Sequence, residues 1–159
     1  MMNEQVRAAL DHVTSGLEAL EQNEEAQVWP RKGDEVWWLG SSGDVIRFSF
    51  DNSDDYFRKA LAQGNLFRTH EEALAEKHAR EVAAKFAGQL GARKFTSDTI
   101  NHAVVMCREK AEAVAYREYA TAFAHTYFDT RAQLDAAITA VGKEEIEKAM
   151  RWWKLGVMG

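Results

Sequence analysis

The side chains best suited to binding chemistry lie in an aromatic and basic run at residues 29–67. Within this run, Trp37 and Trp38 with Arg47 and Arg58 are the candidate ligand- or partner-binding residues. Tryptophan and arginine are the types most enriched in binding hot spots, and together they also stack on a base and contact its phosphate. Neighbouring strand residues point to opposite faces, so one tryptophan can enter a core while the other meets a helix, a partner or a ligand. The alternative places both tryptophans beneath helices on the two sides of a small sheet.

Other chemistry-bearing residues lack the spacing that catalysis or metal binding needs. The five histidines include no i, i+4 pair and Cys107 is the one cysteine, so neither a helical zinc pair nor a cysteine-rich metal site is predicted. Asp51, Asp54 and Asp55 lack the ligand pattern of a calcium loop, and turns and helix capping explain them. The sequence has no phosphate-binding glycine loop and no nucleophile signature. We therefore expect no catalytic residue, no metal and no cofactor, and hence no enzyme.

A second candidate surface is an apolar stripe in the first segment, residues 3–26. The stripe consists of Val6, Leu10, Val13, Leu17 and Leu20. Its alternating spacing of four and three residues is typical of a coiled-coil seam. Because the stripe is narrow and surrounded by acids, we predict that it is the main partner-binding surface, for a second copy or for another protein. The alternative is a helix that packs on its own domain.

The charge distribution argues against nucleic acid as a partner. The net charge is −5, and residues 1–28 carry all of it, with six acids and one base. The rest of the chain has no net positive charge to offer a phosphate backbone. No apolar run is long enough to span a membrane, and charges stand where a signal peptide needs apolar residues. With one cysteine, these features lead us to expect a cytoplasmic protein without membrane contact.

A small sheet is the element that must position the aromatic run. Hydropathy alternates with a period of two in that region, and helical periodicity flanks it. We predict an α+β fold, mostly helical, with one small antiparallel three-stranded sheet formed by residues 35–39, 44–50 and 65–68 and at least four helices. Residues 1–28 are predicted to form an amphipathic helix, and residues 29–159 a single domain.

Capping signals mark most of the helices. A short helix is predicted over residues 56–62, and a long one begins after Thr69, which with Glu72 has the sequence of a capping box. Thr130 begins another helix, and residues 143–154 form the last. LFRT before the second of these helices is similar to YFDT before the third, which suggests a duplicated strand-to-helix unit.

The segment 98–128 is the least determined by its pattern. Thr96 or Ser97 is predicted to cap a helix that runs through Ile100 and Ala115. Periodicity leaves two alternatives open. The helix either continues through Phe123 as one long element or breaks before a β-prone run.

Residues 29–76 also carry the motifs of a known group of proteins. A G-[DE]-x-[VY]-[WY] strand is followed by a turn, a second strand, an Asp-rich connection and the closing pattern G-N-x-F-x-T-x-E-E-A. The closing pattern is matched by Gly64, Asn65, Phe67, Thr69, Glu71, Glu72 and Ala73. This module resembles one in small accessory proteins of tailed phages and prophages, and residues 126–153 are loosely similar to the second half of some of them. The resemblance implies a phage or prophage origin in a bacterial cytoplasm, and it carries no catalytic residue.

The function predicted from these features is binding without catalysis. We expect a phage accessory or counter-defence factor that inhibits a host bacterial protein by direct interaction. The alternative is a small-ligand binder that sequesters a nucleotide signal, with Trp37 or Trp38 on the base and Arg47 or Arg58 at the phosphate. A hydrolase or transferase with a dispersed site ranks third.

Overall fold

The computed structural model describes residues 7–16, 29–108, 110–117 and 122–154. Residues 7–16 form a helix, α1, within the predicted amphipathic segment, and all of them are exposed. Leu10 and Val13 of the apolar stripe lie on α1. The other stripe residues, Val6, Leu17 and Leu20, lie outside the described residues.

The predicted three-stranded sheet is confirmed. It consists of β1 (Glu35–Leu39), β2 (Val45–Ser49) and β3 (Leu66–Phe67), antiparallel in the order β2-β1-β3. Trp37 lies opposite Arg47, and Trp38 lies opposite Ile46. Since residues opposite each other share a face, this register places Trp37 and Arg47 on one face and Trp38 and Ile46 on the other. Gly43 closes the β1–β2 turn with a φ of 84°, a conformation that favours glycine.

Two helices follow the sheet strands, and each begins at a side-chain cap. These helices are α2 (Asp55–Ala62) and α3 (His70–Ala87). Asp54 caps α2 by accepting a hydrogen bond from the Tyr56 N–H at 2.8 Å. Thr69 caps α3 by accepting from the Glu72 N–H at 3.1 Å. In the usual capping box, the Glu72 carboxylate would accept from the N–H of the cap residue, Thr69. Here it accepts instead from the N–H of the preceding residue, Arg68, at 3.0 Å.

The predicted helix within residues 98–128 is wrong. The chain forms instead a second antiparallel sheet, a hairpin of β4 (Asn101–Cys107) and β5 (Lys110–Tyr116). Val104 lies opposite Ala113 and Met106 opposite Ala111, and these side chains enter or pack against the main core. Burial on the hairpin face therefore outweighs the helix propensity of the alanines.

Thr96 and Ser97 consequently cap no helix. The side chain of Asn101, fully buried, organises the loop before β4. Its Oδ1 accepts from the Thr96 N–H at 3.2 Å, and its Nδ2 donates to the Thr96 and Thr99 carbonyls at 2.7 and 3.0 Å. An amide that donates and accepts at once holds the loop in a closed, non-helical form.

Residues 131–152 are helical except at Gly142, as predicted. A short 3₁₀ turn (Phe123–His125) precedes α4 (Arg131–Val141) and α5 (Lys143–Trp152). Thr130 and Gln133 form a reciprocal capping box at the start of α4. The α+β class is thus confirmed, with a second sheet in addition to the predicted one.

The main hydrophobic core lies between α3, α4, α5 and the β4–β5 hairpin. Its large buried members are Phe86, Val104, Met106, Phe123, Phe128, Leu134, Ile146 and Met150. A smaller cluster lies between the first sheet and α2 and contains Val36, Phe50, Ala60 and Leu66. Because α3 contacts β1 and β3 as well as α4 and α5, it joins the two cores.

The two sheets repeat one local arrangement. Phe67 of β3 pairs with the first strand of its hairpin, and Phe128 forms a bridge to His102 in the first strand of the second hairpin. Thr69 and Thr130 then cap the helix that follows each aromatic segment. The similarity of LFRT and YFDT therefore corresponds to the same position in two similar hairpin-plus-helix units.

Candidate interaction surfaces

Apolar side chains face solvent where α2 packs beside β1 and β2. We call this cluster the aromatic surface; it consists of Trp38, Ile46, Phe48, Tyr56 and Phe57. Tyr56 is 49% exposed, Ile46 41% and Phe48 37%. The rings meet edge to face, with centroids 5.3 Å apart for Trp38–Tyr56 and 5.7 Å for Phe48–Phe57. Mutual packing holds these rings in place while it leaves part of each ring accessible.

The outer edge of β2 carries open main-chain groups. At the two ends of the β1–β2 ladder, the Gly40 N–H donates to Asp44 and the Phe50 N–H donates to Asp34, at 2.9 and 2.8 Å. Bonded pairs alternate along an antiparallel ladder, so every second residue of β2 turns its N–H and C=O away from β1. The outward-facing residues are Val45, Arg47 and Ser49. No hydrogen bond within the part of the chain that the structure describes occupies these outward groups.

The other strand edges are short or partly occupied. Beside β5, the N–H of Ala111 donates to the carboxylate of Glu147 on α5 at 3.0 Å. Beside β4, His102 and Phe128 exchange two backbone hydrogen bonds, of 2.9 and 2.8 Å. β3, at the far edge of the first sheet, has only two residues. Among the described strands, β2 therefore presents the edge with the most unoccupied outward residues, three against two (Ala113 and Ala115) on β5. Such edges readily pair with another chain.

Trp37 and Trp38 lie on opposite faces of β1, as predicted. The ring of Trp37 is 4.6 Å from that of His70 at the start of α3, whereas Trp38 contacts Tyr56 of α2. Both tryptophans are half-buried. Each is therefore partly covered by a helix, as in the alternative that places them beneath helices on two sides of the sheet. A binding role for either tryptophan stays a prediction.

The structure does not bring Arg47 and Arg58 together with one tryptophan. Arg47 lies across from Trp37 and forms an ion pair of 3.4 Å with Glu35. Arg58 pairs with Asp55 within α2. Both guanidinium groups therefore have an acidic neighbour of their own, which weakens their attraction for a phosphate.

A small hollow beside Trp38 is the nearest approach to a nucleotide site. Its volume is about 270 Å³, and its lining includes Tyr56, Lys59 and Arg80. Typical ligand pockets have about 300–1,000 Å³. Arg80 is also bound to Glu76, at 2.7 Å. The hollow thus lends weaker support to nucleotide binding than the open surfaces lend to protein binding.

Sequence patterns missed a groove around the 3₁₀ turn. Two hollows of about 620 and 510 Å³ share Ala87, Ala124 and His125 in their lining. Ala124 and His125 have φ values of 54° and 48°, which non-glycine residues seldom adopt. Such strain is frequent at functional sites. A run of small and aromatic residues gave no signal of it in the sequence, since the groove forms from three separate segments.

Trp152 and Trp153 at the end of α5 bind a carboxylate on α3. The Oε2 atom of Glu76 accepts from both indole N–H groups, at 2.6 and 2.9 Å, and its Oε1 accepts from Arg80. Burial raises the pKa of Glu76. The hydrogen bonds from Arg80 and the two indoles lower this pKa by a larger amount, so it lies below the ordinary glutamate value. These hydrogen bonds join α3 to the end of α5, so Trp152 and Trp153 contribute to the packing of the two helices.

Comparison with known proteins adds no family to this description. Over residues 7–16, 29–108, 110–117 and 122–154, no three His, Cys, Asp or Glu side chains lie close enough to hold a metal ion. The helices of the same ranges are all too short or too polar to cross a membrane. No protein-family model, curated protein or solved structure matches the chain.

Proposed function

We propose that this protein acts by binding another protein through the apolar stripe of α1, without catalysing a reaction. The observation that supports this most directly is the exposure of the whole described helix, including Leu10 at 52% and Val13 at 58%. A helix that packs on its own domain buries its apolar stripe. Exposure of these two side chains therefore favours a partner over the protein's own core.

The sequence around α1 defines the chemistry of the partner. Residues 1–28 contain six acids and one base. An amphipathic helix with an apolar stripe and basic flanking residues is complementary to such a segment. The resemblance to phage accessory proteins adds that the partner is a host bacterial protein in the cytoplasm and that binding inhibits it.

Two double variants on α1 test the proposal. Leu10→Asp with Val13→Asp places charge on the stripe, and Ala8→Asp with Ser15→Asp places the same charge on the opposite side of the helix. The tagged wild type and both tagged variants are used to capture proteins from a bacterial host lysate, and mass spectrometry identifies the partner that the wild type retains. The purified partner is then titrated against the three proteins.

The expected result is binding by the wild type and the Ala8/Ser15 variant and at least a tenfold loss for the Leu10/Val13 variant. Full burial of one leucine or valine side chain contributes about 1.5–3 kcal/mol, and a tenfold loss of affinity corresponds to about 1.4 kcal/mol. The loss of both side chains should therefore weaken binding by at least tenfold. Circular dichroism must show that the Leu10/Val13 variant keeps its fold. Unfolding of that variant, or equal binding by all three proteins, contradicts the proposal.

A further inference from the structure

We propose that two copies of this chain pair edge to edge through β2, antiparallel, about a two-fold axis at Phe48. This inference is independent of α1. It rests on the outward main-chain groups of Arg47 and Ser49, each with one donor and one acceptor. An antiparallel second copy offers the complementary acceptor and donor at each position. Two sheets then continue as one sheet across the axis.

Side-chain complementarity selects the register. With Arg47 on the axis, like charges lie directly opposite, which is destabilising. With Ile46 on the axis, Phe48 lies opposite Asp44 of the second copy. With Phe48 on the axis, Arg47 lies opposite Ser49 of the second copy, and Phe48 lies opposite itself. Of these three registers, only the third pairs aromatic with aromatic and separates the like charges. With Ser49 on the axis, Phe48 would lie opposite Phe50, which is only 3% exposed and packs in the smaller core.

The apolar side chains near this edge also match in that register. Ile46, 41% exposed, lies opposite Phe50 of the second copy, an apolar residue whose ring packs in the smaller core, so no charged side chain lies opposite Ile46. The ion pair of Arg47 with Glu35, at 3.4 Å, balances the one charge on β2 itself. A second copy of β2, whose one charge is balanced in the same way, therefore fits this edge better than a strand with a net charge does.

The size of the contact sets the expected strength. The strand contributes five residues from each copy, with Tyr56 and Phe57 beside them. Stable interfaces commonly use about 20–30 residues a side. We therefore expect a reversible dimer with a dissociation constant in the micromolar range, visible as a rise in mass with protein concentration.

The first experiment tests the main-chain pairing by sedimentation velocity over a concentration series. Ser49→Pro removes one outward N–H without touching the bonds to β1, and proline is tolerated on an edge strand. Ser49→Ala is the matched control, since it keeps the N–H. We expect the wild type and Ser49→Ala to dimerise alike and Ser49→Pro to dimerise at least tenfold more weakly.

The second experiment tests the register by disulfide formation in a Cys107→Ser background. Residues opposite each other at a non-hydrogen-bonded position have Cα atoms about 4.5 Å apart, within the range of a disulfide. Phe48→Cys is therefore expected to cross-link two copies under mild oxidation. Ile46→Cys is the control, because its two copies lie four strand positions apart, at about 13 Å.

Several results would overturn the proposal. The proposal is wrong if the protein stays monomeric at every concentration. It is also wrong if the protein is monomeric and β2 pairs with a strand of a different protein. Another such result is a dimer that persists in Ser49→Pro and is lost in the Leu10/Val13 variant of α1. Cross-linking by Ile46→Cys in place of Phe48→Cys refutes the register. If Ser49→Pro loses its circular dichroism signal, the two cysteine variants decide the question.

Discussion

Replacing Glu76 by alanine removes the acceptor that joins α3 to the end of α5. The Oε2 atom of Glu76 accepts from the Nε1 of Trp152 at 2.6 Å and from the Nε1 of Trp153 at 2.9 Å. Its Oε1 accepts from Arg80 at 2.7 Å. Both indoles are half-buried, so in the variant two donors have only limited access to water.

The geometry sets the size of the effect. A buried donor without its partner costs about 1–3 kcal/mol, and half-burial places each indole near the lower end of that range. Loss of the more exposed pair with Arg80 adds about 0.2–1 kcal/mol. We expect the free energy of unfolding to fall by about 2–4 kcal/mol, a large part of the stability of a typical domain.

The assay is urea unfolding followed by far-ultraviolet circular dichroism, which does not depend on the environment of the indoles. Glu81→Ala is the matched control, because Glu81 lies on the same helix and only approaches Lys77, at 3.9 Å. Its expected effect lies within about 0.5 kcal/mol. Each variant is also combined with Trp152→Phe to measure the coupling between the two positions.

Two results would refute this reasoning. Equal stabilities of the Glu76→Ala and Glu81→Ala variants would mean that the indole hydrogen bonds contribute nothing. Full additivity of Glu76→Ala and Trp152→Phe would mean that the two side chains do not interact, since both changes remove the same bond and should not add.

Three further predictions concern the same fold. The pKa of Glu76 is lowered on folding, so its contribution is complete above the ordinary glutamate value of about 4.3 and is lost as the pH falls through the folded value; the stability gap between wild type and Glu76→Gln, measured by urea unfolding, should narrow on acidification, and a constant gap would contradict this. Asn101→Ala removes a fully buried amide and its hydrogen bonds to the main chain of Thr96 and Thr99, and should lower the free energy of unfolding by about 1–3 kcal/mol, with faster amide exchange in residues 96–100, whereas unchanged exchange would mean that the loop does not depend on it. Gly91→Ala should cost about 1–3 kcal/mol in thermal unfolding, since Gly91 has a φ of 83° and a Cβ there would lie 2.7 Å from the side chain of Gln133; an unchanged melting temperature would show that both constraints relax.

Local patterns were sufficient for the first sheet and for most helix starts. The alternation in β1 and β2 and the threonines before α3 and α4 depend on residues within a few positions of each other. Strand and helix propensity and helix capping depend on neighbouring residues, so the sequence alone was enough to predict these elements. The opposite directions of Trp37 and Trp38 follow from the strand itself.

The β4–β5 hairpin shows where local patterns failed. Ala111, Ala113 and Ala115 occupy every second position of β5, a period of two. The helix was predicted from the cap candidates Thr96 and Ser97 and from the apolar spacing, and alanine, the best helix former, does not oppose it locally. The pairing of Met106 with Ala111 and its burial against the main core decide for a strand, and neither exists before the chain folds back.

The candidate sites divide in the same way. The apolar spacing of α1 and the aromatic content of residues 29–67 are visible in the sequence, because residue type and period identify material for an interface. The tertiary structure alone decided that Glu76 meets Trp152, 76 positions away, that β2 is an open edge, and that Glu147 accepts from the N–H of Ala111 beside β5. Contacts between distant segments depend on how whole elements pack, and no spacing rule along the chain encodes them.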